Sequence, residues 1–138
     1  MLTVNLKDAN VQQFKHILYM IDTFTRQTVG VFIMDKKSAT VVYNLMLHWV
    51  LVYGRPARLW SNVGGDFYNK TMRQGDEALG MKVETDAGYA AWMNGLNKRN
   101  HAMVDQCYGK VMKENPGMDP VITLAWAMTA KNEYLMHA

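Results

Sequence analysis

The sequence predicts an α/β fold. Two short apolar runs rich in β-branched and aromatic residues sit side by side near the N-terminus, and helical periodicity then alternates with brief strand-like segments. One chain of 138 residues is the size of a single compact domain, so residues 1–138 are read as one unit.

Residues 16–23 (HILYMIDT) and 28–35 (TVGVFIMD) read as a β-hairpin across the polar turn FTRQ. Ser38 is a plausible N-cap for a helix whose apolar residues recur at 41, 42, 45, 49, 52 and 53, stopped by Gly54 and Pro56. A brief segment at 58–61 (RLWS) runs into the pair Gly64-Gly65, a helix is predicted over 69–79 with Gly80 beyond it, and 81–85 (MKVET) resumes as strand. Residues 86–95 carry two glycines and no clear period, so they read as a loop. From Leu96 the pattern is helical, with Met103, Cys107 and Val111 on one stripe, until Asn115-Pro116-Gly117 ends it. Asp119 before Pro120 opens a last helix, proline taking the favoured first position.

Hydrophobic residues make up 49% of the chain and charged residues 20%, which excludes disordered and low-complexity classes. Fifteen Lys and Arg against twelve Asp and Glu leave a charge of +3, a mild bias that permits a nucleic-acid surface without requiring one. The single cysteine, Cys107, leaves no internal disulfide and no paired-cysteine zinc site, and the four histidines are too dispersed for a zinc site by spacing. No apolar run has the roughly 18 residues of a membrane helix and no signal peptide is apparent, so an intracellular location, nuclear or in a viral particle, is the expectation. The Asn69-Lys70-Thr71 sequon matters only in a secreted protein. Of the twelve methionines, Met20, Met34, Met46, Met103 and Met112 fall on apolar stripes and read as core filler.

Three segments carry the most chemistry: residues 20–26 (MIDTFTR), 59–67 (LWSNVGGDF) and 94–101 (NGLNKRNH). Together they resemble the catalytic core of retroviral and retrotransposon integrases, a ribonuclease H-like α/β fold with a mixed central sheet flanked by helices. In that family a first strand ends in Asp before a Phe-Ser/Thr-Arg turn, matched by Asp22, Phe24, Thr25 and Arg26. The second signature resembles Ser-Asp-Asn-Gly-Gly-Glu-Phe, and the third Asn-Gly-x-x-Glu-Arg-x-His at a helix start. Positions 62 and 98 stand where the family has its second Asp and its Glu, with the family's 35 residues between them.

Such a site needs three carboxylates to hold two Mg²⁺ ions about 4 Å apart, one activating the attacking oxygen and one stabilising the leaving oxygen of a phosphodiester. The catalytic positions here are Asp22, Asn62 and Lys98, whose formal charges sum to zero. Asn62 can offer a carbonyl oxygen, but the Lys98 ammonium is a donor with no lone pair. The expectation is therefore an internal Lys98–Asp22 ion pair in place of metal, no metal site and no cofactor. Val63, where the family has Asn, departs further. Asp66 and Asp86 read as a turn residue and a loop start rather than as replacement ligands.

The resemblance assigns Asn94, Lys98, Arg99 and His101 to nucleic-acid contact. The first and last helices carry more apolar residues than one sheet can cover, and in the family these helices build a dimer interface; Trp49 and Trp126 are the interface residues expected here. The resulting expectation is a catalytically degenerate integrase-core-like domain, excised from a longer multidomain protein, that forms a homodimer and binds DNA. The alternative is an active or mutationally inactivated metal-dependent integrase or transposase.

Overall fold

The computed structural model describes residues 1–61, 80, 82–84 and 90–137. Its five-stranded sheet contains β1 (Leu2–Val11), β2 (Phe14–Asp22), β3 (Thr28–Ile33), β4 (Arg58–Ser61) and β5 (Lys82–Glu84), in the spatial order β3-β2-β1-β4-β5. The first three strands are antiparallel neighbours, whereas β4 pairs parallel with both β1 and β5. Helix α1 (Ser38–Leu45) continues through a π-helical turn (Met46–Val50) into the short α2 (Leu51–Tyr53). Beyond β5 lie α3 (Ala90–Glu114) and α4 (Pro120–His137).

The sheet alternates. Leu2, Val4, Leu18 and Met20 turn to one face and pack with Val41, Leu45 and Trp49 of the first helical stretch. Tyr19 and Phe32 turn to the other and meet Val104 of α3 with Leu124 and Met128 of α4. Each of these aliphatic side chains contributes roughly 1.5–3 kcal/mol by leaving water. A Cβ at Gly30 would stand 2.7 Å from the Met128 methyl and 2.9 Å from the Tyr19 ring, so glycine is what lets α4 approach β3.

The hairpin, the first helix and the last helix lie where the sequence places them. Asp119 caps the last, its carboxylate accepting the Val121 N–H at 2.8 Å. Two elements differ. β1, with clear alternation in LTVNLK, precedes the strand expected at 16–23, which is therefore the second strand of the sheet and not the first. The expected loop at 86–95 is helical from Ala90, because Met93 and Leu96 bury against Trp60 and this packing outweighs Gly95. The helix expected at 69–79, with Asn62, Val63, Asp66, Asn69 and Asp86, lies outside the described residues.

Candidate functional site

Parallel pairing of β1 with β4 fixes which residues share a level. Leu2, Thr3 and Val4 stand beside Leu59, Trp60 and Ser61, so Asn5 is the β1 residue immediately beyond the last of these pairs. Asn5 is almost wholly buried and turns toward α3, where its Oδ1 accepts from His101 Nε2 at 2.6 Å. One helical turn back, the Thr3 hydroxyl donates to Asn97 Oδ1 at 3.3 Å. Lys98, beside Asn97 on α3, is exposed.

Asp22 does not join this group. It is paired with Leu2, three residues back along β1 from Asn5, at the opposite end of the pairing. Its carboxylate accepts the Phe24 N–H at 2.9 Å while its carbonyl accepts the Arg26 N–H at 2.7 Å. Arg26 takes φ of 65° to close that turn. Asp22 is a turn-building residue. Among the described residues it has no ion pair with Lys98, correcting the expected Lys98–Asp22 bridge. The strand beside β4 is β1, not the strand that ends at Asp22, and its residue just beyond the Val4–Ser61 pair is Asn5. The alternation Leu2, Val4, Leu6 against Thr3, Asn5, Lys7 is the signal that would have found it.

Burial lowers the His101 pKa, with Lys7 acting in the same direction and Asp105 opposing. The neutral ring lies on Tyr19, centroids 4.7 Å apart. His101 is thus turned into the sheet interface rather than toward a nucleic-acid ligand, whereas Asn94, Lys98 and Arg99 are exposed. Below it, Lys131 is 2% exposed and donates to the Arg26 carbonyl at 2.6 Å and to the Thr28 hydroxyl. Thr28 also donates to Asn100 Oδ1 at 3.0 Å, and its backbone is clamped on both sides by the Asn132 amide. Thus a polar seam, rather than an apolar core, joins this part of the sheet to α3 and α4.

The expected dimer residues separate. Trp49 is 6% exposed and belongs to the core of its own chain, because four-residue steps from Val41 and Leu45 carry it onto the sheet. Trp126 is 58% exposed, as are Ile122 one turn before it and Tyr43, Leu47 and Leu51 on the first helical stretch to comparable degrees.

Solved structures similar to this chain include integrase cores. The chain aligns over 92% of its length with a chain of the simian T-cell lymphotropic virus intasome in complex with PP2A regulatory subunit B56 gamma, at TM-score 0.79 and 17% identity, covering 46% of that chain. It aligns equally fully with the HTLV-2 integrase catalytic core domain in complex with magnesium, at TM-score 0.77 in a trimeric form and 0.76 in a dimeric form, with 14% identity and 80% and 81% of those chains covered. The chain has the fold of a retroviral integrase catalytic core. The BIV integrase core agrees, at TM-score 0.74 and 15% identity over 93% of this chain and 81% of that one. No protein-family model and no curated protein matches the sequence. The chain therefore spans under half of the intasome chain and most of the excised cores.

Magnesium in the HTLV-2 core overturns the expectation that no cofactor accompanies this integrase-core fold. The residues of this chain fit a pair of divalent cations poorly. Asn5 offers one amide oxygen, already engaged by His101, and Lys98 offers none. Among the described residues no three of His, Cys, Asp and Glu come together. No described helix is long and apolar enough to cross a membrane.

Proposed function

We propose that this chain is a catalytically degenerate integrase-core domain, part of a longer protein, that acts by pairing with a second copy and holding DNA. One observation supports the first part: beyond the Val4–Ser61 pair β1 holds Asn5, hydrogen-bonded to α3, and that helix presents Lys98, where phosphoryl transfer needs anions. Removing one ligand disables most two-metal sites, and here amides and an ammonium stand in the acidic places. DNA contact is supported by the exposed Asn94, Lys98 and Arg99 near the start of α3. Residence in the nucleus or in a viral particle follows from that role. The part-length coverage of the intasome chain supports flanking domains.

A strand-transfer assay on DNA ends with Mg²⁺ or Mn²⁺ tests the loss of chemistry. The wild-type chain should stay at the level of the Asn5→Ala control; metal-dependent turnover above it would refute degeneracy. Combining Asn5→Asp, Asn62→Asp and Lys98→Glu should yield a domain whose melting temperature rises with added Mg²⁺, since a ligand of the folded state stabilises it.

Pairing is supported by the exposed apolar stripe Tyr43–Leu47–Leu51 and by Ile122 and Trp126 on α4, and one of the similar cores is solved as a dimer. Trp126→Glu introduces a charge twice across a twofold interface. The expected result in sedimentation at tens of micromolar is a folded monomer of 15.8 kDa from the variant and twice that mass from wild type. A wild-type monomer would sink the proposal.

A further inference from the structure

The apolar cluster between the sheet and helices α3 and α4 is not closed. Phe32, Val104 and Leu124 of that cluster, with Ile17 packed against it, line a cavity of about 160 Å³ whose rim is formed by the exposed Asp8, Asn10 and Asp105. Packed interiors rarely leave more room than one water molecule needs. An apolar void of roughly 150 Å³ takes a benzene molecule, so this one has the size for a single aromatic ring. Phe32 supplies an aromatic wall, and Phe14 stacks with it at 5.5 Å between centroids.

One polar group faces the space. Tyr19 lines the cavity and is 1% exposed, yet among the described residues its hydroxyl has no hydrogen-bond partner. Its ring is fixed: His101 lies on it, and Gly30 leaves room for its Cδ1–Cε1 edge. Burial, then the Asp105 carboxylate and the Tyr108 phenol of the same cavity, push the Tyr19 phenol up, which keeps it a neutral donor. The rim is poor in free positive charge. Lys7 holds both oxygens of Asp105, at 2.7 and 2.8 Å, and the second acid, Asp8, meets only His16.

We infer that this cavity binds a small uncharged molecule built on one aromatic ring and carrying a hydrogen-bond acceptor, such as an aryl ketone. The ring lies against Phe32 among Ile17, Val104 and Leu124, and the acceptor takes the Tyr19 hydroxyl proton in a hydrogen bond. Anions are disfavoured because the Lys7 ammonium is spent on Asp105 and Asp8 adds negative charge at the entrance. The site shares no residue with those read as holding DNA or with the apolar stripes read as the pairing surface, so it stands or falls separately from both.

The test is ligand-observed NMR on the full chain with three probes: acetophenone, toluene, which lacks the acceptor, and benzoate, which carries a charge. Acetophenone should bind saturably and raise the melting temperature, toluene should bind about fivefold more weakly, and benzoate should not bind. Tyr19→Phe keeps the ring and removes the hydroxyl, so acetophenone should fall to the toluene level while toluene is unchanged. Val104→Phe and Ile17→Phe, on α3 and β2, fill the space with the chain's own atoms. Each that folds should lose both neutral ligands and melt at or above the wild-type temperature. No saturable binding of either neutral probe, binding that survives the fillers, or unfolding of both fillers overturns the site. Toluene or benzoate binding as tightly as acetophenone, or acetophenone indifferent to Tyr19→Phe, overturns the ligand class.

Discussion

Trp49→Ala should destabilise the domain by roughly 3–5 kcal/mol, the cost of removing a large aromatic side chain from a packed core. Trp49 stacks its ring near Tyr53, centroids 4.6 Å apart, and closes the cluster containing Leu2, Val4, Leu45 and Leu59. Deleting it opens a cavity under the helical stretch of residues 38–53 that packs on this face of the sheet. Chemical denaturation reads the effect directly as a lowered midpoint with unchanged slope. The same experiment on Trp126→Ala should show a change under 1 kcal/mol in monomer stability, because that side chain is already in water. Equal effects at the two tryptophans would mean that the assignment of one to the core and one to the surface is wrong.

Stability should rise as pH is raised from about 8 to 10, and Lys131→Met should remove most of that rise. Burial, with Arg26 nearby, lowers the Lys131 pKa to about 8, against about 10.5 in the unfolded chain. Between those values the unfolded chain binds more protons, so folding becomes more favourable as pH increases; below pH 8 the ammonium is charged in both states and the benefit is absent. The full window corresponds to about 3 kcal/mol at most. Tyr19 works in the opposite direction at the upper end. Burial pushes its phenol up, so the folded chain keeps a proton that the unfolded chain loses above pH 10, and stability falls from there. A maximum near pH 10 in guanidinium titrations is the expected result. A flat profile for wild type would place the Lys131 ammonium in water.

The two experiments probe the two faces of one sheet, which differ in kind. One face is a conventional apolar core beneath the first helical stretch. The other mixes a small apolar cluster with a seam of Thr3, Asn5, Thr28, Asn97, Asn100 and Lys131. Several donors in the seam, among them Asn5 Nδ2, Asn97 Nδ2 and Asn100 Nδ2, have no acceptor among the described residues. Unpaired buried donors favour local opening, and the seam is where hydrogen exchange should be faster than in the apolar cluster.

By itself the sequence determined the α/β class, the β2–β3 hairpin, the first and last helices and the family of the fold, since each follows from local periodicity, capping residues or short motifs that act within a few residues. Tertiary structure alone decided which strands are neighbours. Pairing across the sheet sets this, so the motif at Asp22 closes a turn while Asn5, with no motif around it, stands just beyond the β1–β4 pairs and meets His101 of α3. It likewise decided that Trp49 and Trp126, alike in composition and both on apolar helices, lie one inside and one outside, because burial depends on which face of a helix meets the sheet and not on the residue type.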